Sequence, residues 1–203
     1  MAKLVLVRHG ESTWNKAGAW TGLTDISLDE EGRAKARQDG LLLNDIDFHM
    51  AYTSKLRRAR QSLEEIIKSL KNPNLPVMED AALNERDYGD FTGKEKEEIK
   101  KEYGEEQFLK WRRGWDEKIP GGETLKDVYN RVVPYLQNNI LPQLQNGKNV
   151  LVVAHGNSLR ALVKFLDNIS DEDITRVELE LGEIDIYQLD RNGKIVSKEI
   201  KRL

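Results

Sequence analysis

Cysteine is absent from the 203 residues. That excludes disulfides, thiol nucleophiles and thiolate metal sites, and it fits a cytoplasmic protein. Histidine is scarce, with three in the chain: His9, His49 and His155. Neither sign of charge dominates. Lys+Arg 32 against Asp+Glu 35 gives a net charge of −3, so bulk charge argues against a nucleic-acid partner. No apolar run approaches the roughly 20 residues of a membrane span, so no membrane partner is expected. The first apolar run starts at Leu4, so no signal peptide is expected. Neither a linker-like stretch nor a solenoid repeat interrupts the chain, and one domain over residues 1–203 is expected.

What is present is a matched pair of apolar runs. Leu4-Val5-Leu6-Val7 stops at Arg8-His9-Gly10-Glu11-Ser12, and Val150-Leu151-Val152-Val153-Ala154 stops at His155-Gly156-Asn157-Ser158. Continuous runs of this kind read as strands covered on both faces, the mark of a parallel α/β sheet. Side by side, they would bring both imidazoles to one carboxyl edge, where open α/β sheets bind ligands.

Between the runs, Glu11 to Asp25 reads as a long polar loop, a length that is usually functional. Ser27 and Glu30 have capping-box spacing for a helix to about Leu43. Phe48–Thr53 reads as a strand, and Ser54 as the N-cap of a helix striped by Leu56, Ala59, Leu63, Ile66, Ile67 and Leu70. Lys55, Arg57 and Arg58 crowd that helix's first turn, against its dipole. Two readings stay open there: a solvated basic surface, or cations facing a bound anion. The charged stretch from Asn72 to Gly122 is expected to be loop-rich, with short helices near Lys96–Lys101 and Glu105–Arg113. Leu125, Val128, Val132, Leu136, Ile140 and Leu144 stripe a long helix expected to kink at Pro134. Further helices are expected at Leu159–Leu166 and after Ser170, then a hairpin of Ile184–Leu189 and Ile195–Ile200. The alternation predicts a three-layer α/β/α sandwich, its central sheet mostly parallel with an antiparallel edge strand.

His49 has no motif around it and reads as a surface or half-buried residue. His9 and His155 each end a buried run before a glycine, which packing alone does not explain. A metal reading lacks a third ligand, and Arg8 beside His9 would repel a dication, so no metal is expected. A neutral imidazole among cations is instead suited to attack phosphorus. The surrounding charge lowers its pKa, and the same charges hold phosphoryl oxygens in the transition state.

Leu-Val-Arg-His-Gly-Glu-Ser-x-Trp-Asn resembles the signature of the histidine phosphatase superfamily, and the Trp111-Arg112-Arg113 run narrows the resemblance to the cofactor-dependent phosphoglycerate mutases. Thr21-Gly22, Tyr52-Thr53-Ser54, Leu83-Asn84-Glu85-Arg86, Tyr88-Gly89 and Ala154-His155-Gly156-Asn157-Ser158-Leu159-Arg160 stand in matching order, from Lys3 to about Asp173. The resemblance implies that His9 becomes phosphohistidine, in a phosphate pocket with Arg8, Arg58 and His155 and with Asn15 as a polar helper. Arg58 rather than Arg57 matches the family's Thr-Ser-x-Leu-x-Arg-Ala run. Glu85 matches the general acid and base. Thr21, Gly22, Tyr88, Lys96, Arg112, Arg113 and Asn157 match positions that hold the substrate's carboxylate and second phosphate. By residue type alone, Glu85 would be a surface carboxylate and Arg112-Arg113 an exposed helix face, while Lys94, Lys100 and Lys101 compete with Lys96. The resemblance further implies a small phosphorylated substrate, 2,3-bisphosphoglycerate as phosphoryl primer, no metal, and a cytoplasmic monomer or homodimer.

The chain departs from longer mutases in three places. Trp115 to Glu123 joins Arg113 to the long helix without an insertion, no mobile tail is expected after Leu203, and Leu181-Gly182-Glu183-Ile184-Asp185 replaces a Thr-Gly-x-Pro run. Two alternatives therefore stand beside a mutase: a phosphatase of small phosphomonoesters, and a non-catalytic anion-binding protein, which would be expected to lack a core catalytic residue.

Overall fold

The computed structural model describes residues 1–202. Its strands are β1 (Ala2–Arg8), β2 (Met50–Thr53), β3 (Val77–Glu79), β4 (Val150–Ala154), β5 (Glu183–Leu189) and β6 (Ile195–Arg202). They form one sheet in the order β3-β2-β4-β1-β5-β6. Four strands, β1 to β4, are mutually parallel; β5 runs antiparallel to β1 and pairs with β6 in the expected hairpin. The helices are α1 (Thr13–Lys16), α2 (Glu30–Leu42), α3 (Arg57–Lys68), α4 (Lys96–Tyr103), α5 (Glu105–Arg113), α6 (Leu125–Tyr135), α7 (Leu141–Gln145) and α8 (Gly156–Leu166). None is long and apolar enough to cross a membrane.

The two apolar runs lie side by side in register, Leu4 opposite Val150 through Arg8 opposite Ala154. They have no polar face because both faces are covered. Leu4, Leu6, Val150 and Val152 pack under α6 and α8, while Val5, Val7, Leu151 and Val153 pack on α2 and α3. A smaller core of Trp20, Phe91, Ile99, Phe108, Trp111 and Ile119 joins α4 and α5 to the loop after β1. Much of the charged stretch that reads as loop thus serves to build a wall above the sheet's carboxyl edge.

Three local expectations change. Helix α2 starts two residues later, with Asp29 rather than Ser27 as N-cap, its carboxylate accepting from the Gly32 N–H at 2.7 Å. Leu28 bridges to Ser12 in extended conformation and is 5% exposed. Burying that leucine is worth roughly 1.5–3 kcal/mol, more than the ~1 kcal/mol difference a cap makes. Ser54 does not cap α3: the N-cap is Leu56, without a side-chain bond, and Ser54 is used elsewhere. The long helix, expected to kink at Pro134, runs on through that residue and widens just beyond it, over a π turn at Leu136–Ile140. The stripe from Val128 to Leu144 advances in steps of four, which overruns the 3.6-residue period. The wide turn absorbs the excess, and all of these residues stay at most 1% exposed. Strand β3 has no counterpart in the expectations, since its three residues are all exposed and carry no apolar alternation.

Candidate active site

Residues just past the carboxyl ends of β1 and β4 form the floor of an open cleft holding about 670 Å³ of empty space, its mouth included. The backbone pairing continues one residue past the strands, His9 N–H donating to Ala154 C=O at 2.9 Å. That puts the His9 and His155 rings 4.8 Å apart between centroids, tilted by 59°. Gly10 follows because α2 presses on it: a Cβ there would lie 2.4 Å from Gly32 O.

His9 is 2% exposed, with Nδ1 2.6 Å from Gly10 O. A carbonyl can only accept, so Nδ1 carries the proton and Nε2 is left with its lone pair. Its pKa is held well below the ordinary value, first by burial and then by the charges of Arg58 and Arg8. Burial thus outranks the neighbouring charges that the sequence points to as the main cause. His155 is lowered in the same way, by burial, then Arg58, His9 and Arg8. Its Nε2 lies 2.7 Å from Ser54 Oγ, which explains where that serine went. Its Nδ1 is buried without a protein partner. We expect imidazole NMR signals of both rings to keep the neutral pattern from pH 8 down through pH 6. Titration of His9 at 6.5 or above would contradict this geometry.

The basic cluster at α3 splits. Arg58 is 1% exposed and donates to Thr24 O at 2.9 Å and Gly22 O at 2.8 Å, its Nε buried and unpartnered. Arg57 and Lys55 are exposed, and Arg57 turns away to Asp25. Arg8 donates to Leu179 O at 2.7 Å, also leaving Nε unpartnered. Glu85 is 8% exposed, its Oε1 accepting from the N–H groups of Arg86 at 2.7 Å and Asn157 at 3.2 Å, the latter at the start of α8. Arg131 fixes the segment behind it, donating to the carbonyls of Ala82, Asn84 and Glu85 while paired to Glu123. Asn157 Nδ2 donates to the Tyr88 hydroxyl at 2.7 Å, and burial followed by the nearby Glu85 charge pushes that phenol up.

Among the four neighbouring lysines, Lys96 lies on the cleft wall, its pKa lowered by burial and then by Arg112 and Arg8. Asn15, Thr21, Arg112 and Arg113 are on the wall too; Asn15 also uses its Oδ1 to cap α1. Two of the expected site residues are not on the wall. His155 sits behind His9 at 0% exposure, and Gly22 reaches the site through its carbonyl on Arg58. His49 is exposed and remote from this edge, at the start of β2.

Ala19, Trp20, Gly156, Arg160, Glu178 and Leu179 also line the cleft, beyond the residues expected from sequence. Arg160 stands three residues after Asn157 on α8, hence on the same face, and donates to its Oδ1 at 2.9 Å; burial, then Arg113, pushes it down to about 10. That spacing was available in the sequence, whereas nothing around Glu178 marks it. The wall carries Arg8, Arg58, Lys96, Arg112, Arg113 and Arg160 against Glu85 and Glu178. A local excess of cations in a protein of net −3 fits a small polyanion. The unpartnered Arg8 and Arg58 Nε–H, Thr21 Oγ1 and Trp20 Nε1 fit oxygen-rich ligands such as a bisphosphate. Among the described residues no group of three or more His, Asp or Glu side chains could hold a metal ion.

The profile of the histidine phosphatase superfamily (branch 1) matches residues 4–200. A 2,3-bisphosphoglycerate-dependent phosphoglycerate mutase of Beijerinckia indica subsp. indica is 46% identical over 202 residues, covering 98% of each chain. The protein of the same name from Bradyrhizobium diazoefficiens is 47% identical, covering 96% of this chain and 95% of its own. Among solved structures, Bacillus stearothermophilus YhfR superposes with a TM-score of 0.84 at 27% identity, over 96% of this chain and 94% of that one. A mycobacterial glucosyl-3-phosphoglycerate phosphatase shares the fold at a TM-score of 0.84 and 23% identity, over 100% and 98%.

Proposed function

The chain belongs to the histidine phosphatase superfamily, branch 1, and on that premise we propose that it is a 2,3-bisphosphoglycerate-dependent phosphoglycerate mutase. It interconverts 3- and 2-phosphoglycerate in glycolysis and gluconeogenesis, in the cytoplasm, without a metal. Near full-length identity of 46–47% to proteins of that name supports the reading. The observation that carries it is the second cationic group, Lys96, Arg112 and Arg113, on the wall of the same cleft as His9. Hydrolysis of a monoester needs one phosphate pocket; passing a phosphoryl group between two hydroxyls of one small acid needs a second anion to be held as well.

His9 Nε2 is the nucleophile, already deprotonated because burial and cations keep the ring neutral. The bisphosphoglycerate primer supplies the phosphoryl group that first loads it. Arg8 and Arg58 take phosphoryl oxygens, with Asn15 beside them, and stabilise charge in transfer, while His155, packed against His9 with its buried Nδ1 unpartnered, completes the pocket around the loaded ring. As the N–P bond breaks and the new O–P bond forms, Glu85 takes the proton of the accepting hydroxyl. It returns a proton to the departing oxygen in the reverse transfer. Thr21, Tyr88, Lys96, Arg112, Arg113 and Asn157 hold the carboxylate and the other phosphate, and Gly22 acts by bracing Arg58.

The test supplies 3-phosphoglycerate with and without catalytic bisphosphate and follows 2-phosphoglycerate and inorganic phosphate. Primer-dependent isomer with little phosphate release is the expected outcome. Phosphate as the main product would make the protein a phosphatase of the same superfamily, and neither product would leave an anion-binding protein.

A further inference from the structure

Glu178 lies just before β5, and its carboxylate lies on the cleft wall among the cations. One oxygen is 3.3 Å from Arg112 Nη2, and the other is hydrogen-bonded to Arg113 Nη2. Burial pushes its carboxyl up, but the bond to Arg113 and the two guanidinium charges outweigh that and hold it below the ordinary range. It is therefore ionised near neutral pH. A carboxylate spanning two guanidinium groups is also how an anionic part of a ligand would meet them. Any ligand whose second anion uses Arg112 and Arg113 must first displace or share with Glu178. The side chains of Glu178 and Arg112 are 42% and 38% exposed, so the pair is screened and can open at small cost. The neighbouring residue keeps the segment in place, because Leu179 O takes Arg8 Nη1.

We propose that Glu178 is a built-in competitor for the outer anion position, weakening the hold on bisphosphorylated ligands relative to those that fill the pocket at His9 alone. This rests on the reading above that Arg112 and Arg113 receive the ligand's outer anion. In that reading, bisphosphate that escapes leaves an unloaded His9, so Glu178 also sets how often the enzyme needs to be primed again.

Calorimetric titration at fixed ionic strength tests it, using 2,3-bisphosphoglycerate and inorganic phosphate as probes on wild type, Glu178→Gln, and Glu178→Gln combined with Arg112→Ala and Arg113→Ala. Glu178→Gln is expected to tighten bisphosphate binding by roughly three- to tenfold while changing phosphate affinity by less than about twofold. The gain disappears when the two arginines are absent from both proteins compared. Unchanged or weaker bisphosphate binding in folded Glu178→Gln overturns the inference alone, as does an equal gain for phosphate or a gain that survives without the arginines. Wild type that takes phosphate but no bisphosphate overturns the mutase reading, and this inference with it.

Discussion

Replacing His9 by alanine is expected to lower kcat by on the order of 10⁵-fold or more, with mutase and any hydrolytic activity lost together. Removing the nucleophile leaves nothing to take its place. His155, the nearest imidazole, is 0% exposed, off the cleft wall, and has Nε2 engaged by Ser54. The fold should tolerate the change, because the backbone bond from residue 9 to Ala154 and the approach of Gly10 to α2 do not involve the imidazole. Phosphate binding should persist through Arg8 and Arg58, which separates loss of chemistry from loss of the site. Steady-state assays and a phosphate titration on the same folded sample check both halves. Residual turnover within about a thousandfold of wild type would point to a different nucleophile.

Glu85→Gln is expected to cost roughly 10²–10⁴-fold in kcat, the usual contribution of a positioned proton carrier, or about 3–5 kcal/mol of barrier. The substitution keeps the shape and an oxygen for the Arg86 and Asn157 N–H groups, so it removes the proton and little else. KM should change much less than kcat. A second substrate sharpens the test: an activated aryl phosphate, whose leaving group needs no proton, should still load His9 at close to the wild-type rate. If loading from the aryl phosphate falls as far as turnover of 3-phosphoglycerate, Glu85 is shaping the pocket rather than moving a proton.

The strongest parts of the fold could be read directly from residue pattern. β1 and β4 are unbroken apolar runs because helices cover both faces, and α3 carries a full stripe. What escaped was set by contacts distant in sequence. The start of α2 follows Leu28 pairing with Ser12, and β3 exists because β2 offers it an edge. The π turn answers a four-residue spacing that was visible but read as an ordinary stripe.

The site divides along the same line. His9 and His155 stood out by their place at the ends of buried runs. Choosing Arg58 over Arg57 came from the family pattern, since electrostatics left the cluster undecided; one points inward and the other pairs with Asp25. Lys96 was separable from its neighbours only through the wall built by α4 and α5. Ser54 looked like a helix cap and instead bonds His155, because α3 begins two residues later than a cap at that position requires. Glu178 had no local signature at all, as its partners are Arg112 and Arg113, 66 and 65 positions away.

The central claim is that the phosphoryl group passes through His9 between two hydroxyls without reaching water. Enzyme loaded from radiolabelled 2,3-bisphosphoglycerate, quenched within one turnover and mapped by peptide, tests it most directly. The account predicts acid-labile label on the peptide carrying His9, chased by unlabelled 3-phosphoglycerate into phosphoglycerate species with little inorganic phosphate. Label on another residue, no label, or a chase that delivers it mainly to water would contradict it.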